Sequence, residues 1–158
     1  MKQVMIAVLV AMSVGACAPV GGGGGPITVG GMADGFIGFL TPESTIPGRS
    51  GTTQYRRELY TVSLTAGMPV TLLMCRTSVE RFDPYLAIHG PVGPMDNVET
   101  NDDSAGDYNS RLIYTPMTTG VHTIYATTFS SFSSNSNNGA YRLTVTAGAN
   151  PTATCPAI

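Results

Sequence analysis

Beyond residue 17 no stretch of the chain sustains an apolar residue at every third or fourth position, because glycine, proline or a β-branched cluster interrupts each candidate. What recurs instead is a short run in which every second residue is apolar, closed by turn chemistry. Tyr60-Thr61-Val62-Ser63-Leu64 alternates large apolar with small polar and stops at Ala66-Gly67. Val70 to Cys75, Pro84 to His89, Leu112 to Tyr114, Val121 to Ala126 and Tyr141 to Val145 are further runs. Between them stand Gly90-Pro91-Val92-Gly93-Pro94, Asn101-Asp102-Asp103, Thr119-Gly120 and a Ser/Asn tract from Ser130 to Asn138, residues that favour turns. Successive side chains of a strand point to opposite faces, so each run can bury one face and wet the other. Short strands with such frequent turns predict an all-β fold, a single antiparallel β-sandwich.

The front of the chain is of another kind. Met1-Lys2-Gln3 carries one positive charge, Val4 to Met12 is apolar, and the small residues Ser13, Gly15 and Ala16 precede Cys17. That order is an export signal, and its apolar run falls short of the roughly 20 residues a permanent membrane span requires. Val14-Gly15-Ala16-Cys17 resembles the bacterial lipobox, in which the cysteine thiol takes a diacylglyceryl group and the amino terminus freed by cleavage is acylated. The alternative is a plain secretory peptide with an incidental cysteine. Several acyl chains, at about 0.8 kcal/mol per buried CH₂, make a stable membrane anchor. Ala18, not Asp, follows Cys17, which by resemblance to Gram-negative lipoproteins directs the chain to the outer membrane, facing the periplasm or the surface. The expected division is residues 1–16 as signal peptide, 17–35 as lipidated terminus and flexible tether, 36–148 as the sandwich and 149–158 as a tail. The tether rests on Gly21 to Gly25 and Pro26, which cannot pack a core.

After the signal only arginines remain as cations, against ten acidic residues, so the domain is mildly acidic. Nucleic acid, which selects a clustered basic surface, is excluded as a partner. With Cys17 lipidated, Cys75 and Cys155 form an even pair in an oxidising compartment. A disulfide between them is expected, two free thiols being the alternative.

The phrases Glu58-Leu59-Tyr60-Thr61-Val62, Ala66-Gly67, Asp83-Pro84-Tyr85-Leu86, Asn101-Asp102-Asp103, Asn109-Ser110-Arg111-Leu112, Thr119-Gly120 and Gly139-Ala140-Tyr141-Arg142-Leu143-Thr144-Val145 fall in a recognisable order. Over roughly residues 38 to 147 the chain resembles the bacterial pre-peptidase C-terminal domain. That resemblance implies a jelly-roll-like sandwich of the sort appended to secreted proteases, and a non-enzymatic accessory or binding role. No peptidase precedes the domain here, and His122 stands where the family has an aromatic after its Thr-Gly turn.

Any triad or imidazole-bound metal must use His89 or His122, the chain's two histidines. His122 shares the phase of Ile124 and Ala126 and is read as an inner-face residue; His89 ends a strand at Gly90 and is read as a surface imidazole. Neither a Gly-x-Ser-x-Gly elbow nor a His-Glu-x-x-His pair occurs, so no catalytic residue is assigned. Asp96, Glu99, Asp102, Asp103 and Asp107 cluster without a cation among them, and Asp83 opens a neighbouring strand. Two readings stand: a calcium shell built from Asp83, Asp102, Asp103 and Asp107, or a solvated turn that caps its own backbone. Instead of a metal, Asp102 and Asp103 can hold Arg111 across the hairpin, a structural pairing that the family's Asn-Asp-Asp and Ser-Arg phrases allow. No cofactor other than calcium is expected.

The chain has no tryptophan. Tyr85, Tyr114 and Tyr125 are expected on or between the sheets, leaving Phe129 and Phe132 as an exposed ligand face or, equally, as loop aromatics folded back as a lid over the core. The sequence therefore reads as a lipid-anchored, non-enzymatic envelope protein, a binding module for a protein or polysaccharide. A structural envelope protein packing against partner proteins is the alternative, and a hydrolase a distant third.

Overall fold

The structure, a computed structural model, describes residues 23–78, 82–131 and 138–158. Ten strands make it up: β1 (Gly24–Pro26), β2 (Met32–Ile37), β3 (Glu43–Ser44), β4 (Tyr55–Leu64), β5 (Val70–Arg76), β6 (Pro84–His89), β7 (Glu99–Asn101), β8 (Ser110–Tyr114), β9 (Gly120–Thr128) and β10 (Gly139–Ala147). No helix occurs among the described residues. One sheet runs β1-β4-β9-β6-β7, with β3 paired to the start of β4; the other runs β2-β10-β5-β8. Every pairing is antiparallel except the parallel one between β1 and β4. From β4 onward the chain crosses between the sheets at every connection but β6 to β7, the winding of a jelly-roll-like sandwich.

The alternation read from the sequence is what fills the space between the sheets. Tyr60, Val62 and Leu64 of β4 are buried, as are His122, Ile124 and Ala126 of β9. They belong to the same interior as Leu72 and Met74 of β5, Leu112 and Tyr114 of β8, and Tyr141, Leu143 and Val145 of β10. Ser110 reaches across from β8 to donate to the Pro84 carbonyl at 2.7 Å.

β6 departs from alternation and is buried throughout. Leu86 and Ile88 face the core, while Tyr85 and Ala87 on the outer face pack with Ile46, Tyr55 and Tyr125. The loop between β3 and β4 thus covers part of the outer face, and a strand covered on both sides reads as a continuous apolar run.

The glycine-rich tether ends sooner than expected. Gly24, Gly25 and Pro26 pair with Leu59, Tyr60 and Thr61, the N–H of Ile27 donates to the Thr61 carbonyl at 2.9 Å, and the Ile27 side chain enters the core. Backbone pairing needs no side chain, so glycines suffice once an apolar residue such as Ile27 pins the segment. Met32 to Gly35, also assigned to the tether, lie in β2. The signal peptide, Cys17, Gly21 and Gly22 lie outside the described residues.

A candidate ligand-binding groove

The loop that covers β6 carries Pro47-Gly48-Arg49-Ser50-Gly51. Gly48 and Gly51 take left-handed φ values of 80° and 89°, so the loop turns sharply at both. Between them Arg49 lies over the outer face of the sheet. Its guanidinium carbon is 4.3 Å from the ring centre of Tyr55, 4.3 Å from that of Tyr85 and 4.9 Å from that of Phe129. Such contacts attract the cation to the negative ring faces. Nη1 also donates to the Phe129 carbonyl at 2.8 Å, and among the described residues the other guanidinium N–H groups find no partner. The result is a groove of about 550 Å³, lined by Arg49 and the three rings it covers and by Ser50, Thr100, Asn101 and Asp102, that presents mostly polar surface.

Asp83 adjoins it. Burial, then the neighbouring carboxylates of Asp103 and Asp102, push its carboxyl up to about 6, and Arg49 and Arg76 only partly offset this. One of its carboxylate oxygens is buried and has no hydrogen-bond partner among the described residues.

Asp102, Asp103 and Asp107 sit in a loop that satisfies itself. Asp102 accepts from the Asp103 N–H at 3.0 Å, Asn101 accepts from the N–H groups of Ser104 at 3.2 Å and Arg111 at 3.1 Å, and Asp107 turns the chain at φ 49°. Among the described residues no three His, Cys, Asp or Glu side chains converge to hold a metal ion. Asp83 is near enough to Asp102 and Asp103 for their charges to act on its carboxyl, without these residues forming such a group. Arg111 has another partner than the one expected. Rather than pairing with Asp102 or Asp103, it donates to the Ala153 carbonyl at 2.8 Å and holds the C-terminal tail. That tail is also fastened by the Cys75–Cys155 disulfide, whose Cα atoms are 5.5 Å apart.

Both histidines are buried. His122 packs edge-on against Tyr114 with its Nδ1 3.1 Å from the Gly120 carbonyl, as an inner-face residue should. His89 is no surface imidazole: it is 8% exposed, tilts against Tyr125 and has its Nδ1 2.7 Å from the Gly90 carbonyl. Phe129 lines the groove and is half exposed, whereas Phe132 lies outside the described residues. Tyr85 belongs to the groove rather than to the core alone. Arg49 and Tyr55 carried no signal except a cation in a Gly/Pro loop and an isolated tyrosine, since their meeting with Tyr85 depends on a loop folding back over a strand thirty-odd residues away in sequence.

Scans against protein-family models and curated proteins find no match. Similar solved structures exist. The pre-peptidase C-terminal domain of a Bacillus anthracis collagenase matches at 12% identity and TM-score 0.53, over 80% of this chain and 98% of that one. CorA of Methylomicrobium album BG8, described as a surface-associated copper-binding protein, matches at 12% identity and TM-score 0.52, over 81% and 99%. The Aeromonas hydrophila periplasmic inhibitor of g-type lysozyme, PliG, matches at 16% identity and TM-score 0.48, over 80% and 100%. At these identities the likeness is one of architecture, and the chain has the fold of the pre-peptidase C-terminal domain.

Proposed function

We propose that this chain is a lipid-anchored, non-enzymatic binding module of the bacterial envelope, held at the outer membrane, whose protein or polysaccharide ligand seats in the groove around Arg49. The observation that carries the reading is the groove itself: an arginine held among three rings, with N–H groups unspent among the described residues, beside hydroxyl, amide and carboxylate groups on the rim. The rings hold the guanidinium in place, and its N–H groups, with the rim's hydroxyl and amide groups, can donate to carbonyl, hydroxyl or carboxylate oxygens of a ligand. The residues lining the groove include no histidine or cysteine, so Ser50 has no imidazole beside it there. Copper is the ligand named for CorA; here Cys75 and Cys155 are oxidised together, both imidazoles are buried, and no three His, Cys, Asp or Glu side chains converge among the described residues.

Retention of the mature protein on immobilised collagen, chitin and peptidoglycan tests the proposal. One of these resins should hold the wild type, and Arg49→Ala or Phe129→Ala should lose at least most of that retention with little change in Tm. Retention indifferent to both variants, or none on any resin, would overturn it.

A further inference from the structure

The connection between β2 and β3 is a tight turn of unusual composition. The Thr41 N–H donates to the Gly38 carbonyl at 3.0 Å, the Gly38 N–H donates to the Thr41 hydroxyl at 2.9 Å, and that hydroxyl lies 3.3 Å from the Phe36 carbonyl. Thr41 is itself buried, so the turn is fixed to the domain. Its two central residues, where glycine, proline, asparagine or aspartate are usual, are Phe39 and Leu40, 76% and 91% exposed. Phe36, also largely exposed, adjoins them. A rigid turn that holds two large apolar side chains in water is the mark of a contact surface rather than of packing.

The place of the turn identifies the contact. Phe39 lies over the Arg56 guanidinium at 5.4 Å, and the Arg57 N–H donates to the Pro42 carbonyl at 2.9 Å, which puts the turn at the start of β4. β1 runs parallel to β4, and the Gly23 N–H donates to Glu58 at 2.8 Å, so the described chain begins at this same end of the sandwich. Cys17 is six residues before Gly23, a contour of at most about 20 Å.

We infer that the Phe39-Leu40 turn rests in the interfacial layer of the bilayer to which Cys17 is anchored, giving the tethered domain a fixed attitude on the lipid surface. Apolar side chains at an interface gain by leaving water, and an acyl anchor already supplies proximity, so a two-residue contact suffices. This end of the sandwich then faces lipid, and the opposite end, with Met68 and Met117, faces away. The inference rests on the lipoprotein reading, and its test separates the two.

The chain has no tryptophan, so a single indole reports without background. Full-length protein carrying Leu40→Trp or Met117→Trp is purified from membranes and reconstituted into phosphatidylethanolamine–phosphatidylglycerol vesicles with plain or brominated acyl chains. The L40W indole should emit to the blue and lose most of its intensity to bromine, the M117W indole should do neither, and adding Phe39→Ser to L40W should weaken the quenching. Protein that floats with the vesicles while both indoles stay unquenched, or are quenched alike, overturns the inference and leaves the anchor standing. Protein that neither floats nor carries acyl mass at Cys17 overturns both.

Discussion

Glu58 is 2% exposed, on the same face of β4 as Tyr60, and accepts from the hydroxyls of Tyr60 and Tyr141 and from the Gly23 N–H. The two tyrosine oxygens are 3.0 Å apart, so the trio bridges β4 of one sheet to β10 of the other. Burial pushes the Tyr60 hydroxyl up to about 12 and the Tyr141 hydroxyl higher still, which keeps both as donors. Gly35 leaves room for the trio: a Cβ there would stand 2.3 Å from a Glu58 oxygen and 2.4 Å from the Tyr141 hydroxyl. Gly35→Ala should therefore cost about 2 kcal/mol, the usual scale of an overpacked interior, read as a lower urea midpoint at unchanged slope. Asp83 gives a pH prediction. Its carboxyl is pushed from 3.8 to about 6, so between those values the folded protein keeps a proton the unfolded chain has lost. Stability contributed by that proton is present at low pH and falls as pH rises through about 6. Asp83→Asn should raise Tm at neutral pH and leave it unchanged at pH 3, and the wild-type-minus-variant difference in Tm should show the slope between.

Elements differ in how they are held. β4, β5, β6, β8, β9 and β10 carry their own apolar pattern and would be read as strands in isolation. β2 has Asp34 and Gly35 in its middle, poor strand formers, and is held by its partner: Arg142 on β10 grips Asp34 through Nε at 2.7 Å and Nη2 at 3.0 Å. The C-terminal tail is a third kind, an irregular segment fastened at Cys155 and at Ala153 to the sheet it passes. Because the disulfide spans 80 residues, the chain-entropy account gives it about 4.5 kcal/mol. Unreduced protein unfolded in guanidinium should show no alkylatable thiol at Cys75 or Cys155. Cys75→Ser with Cys155→Ser should melt several degrees lower.

At the scale of the whole molecule, one end of the sandwich gathers the chain's entry at Gly23, the Phe39-Leu40 turn and, on the neighbouring outer face, the Arg49 groove. Cys17→Ser should move the protein from the detergent phase to the aqueous phase on partitioning, or leave it uncleaved, because the acyl acceptor is gone. Unchanged partitioning would rule out lipidation at Cys17. The β class, six of the ten strands and the inward phase of His122 followed from the sequence alone, because alternation and turn residues are local properties of the chain. Tertiary structure decided the rest. β1, β2, β3 and β7 exist by pairing with neighbours rather than by their own pattern. Arg111 found a carbonyl in the tail instead of the nearby aspartates. The groove joins Arg49 and Tyr55 to Tyr85 and Phe129 through space, and contacts at such separations are set by how loops close over a finished sheet, which no local spacing of residues encodes.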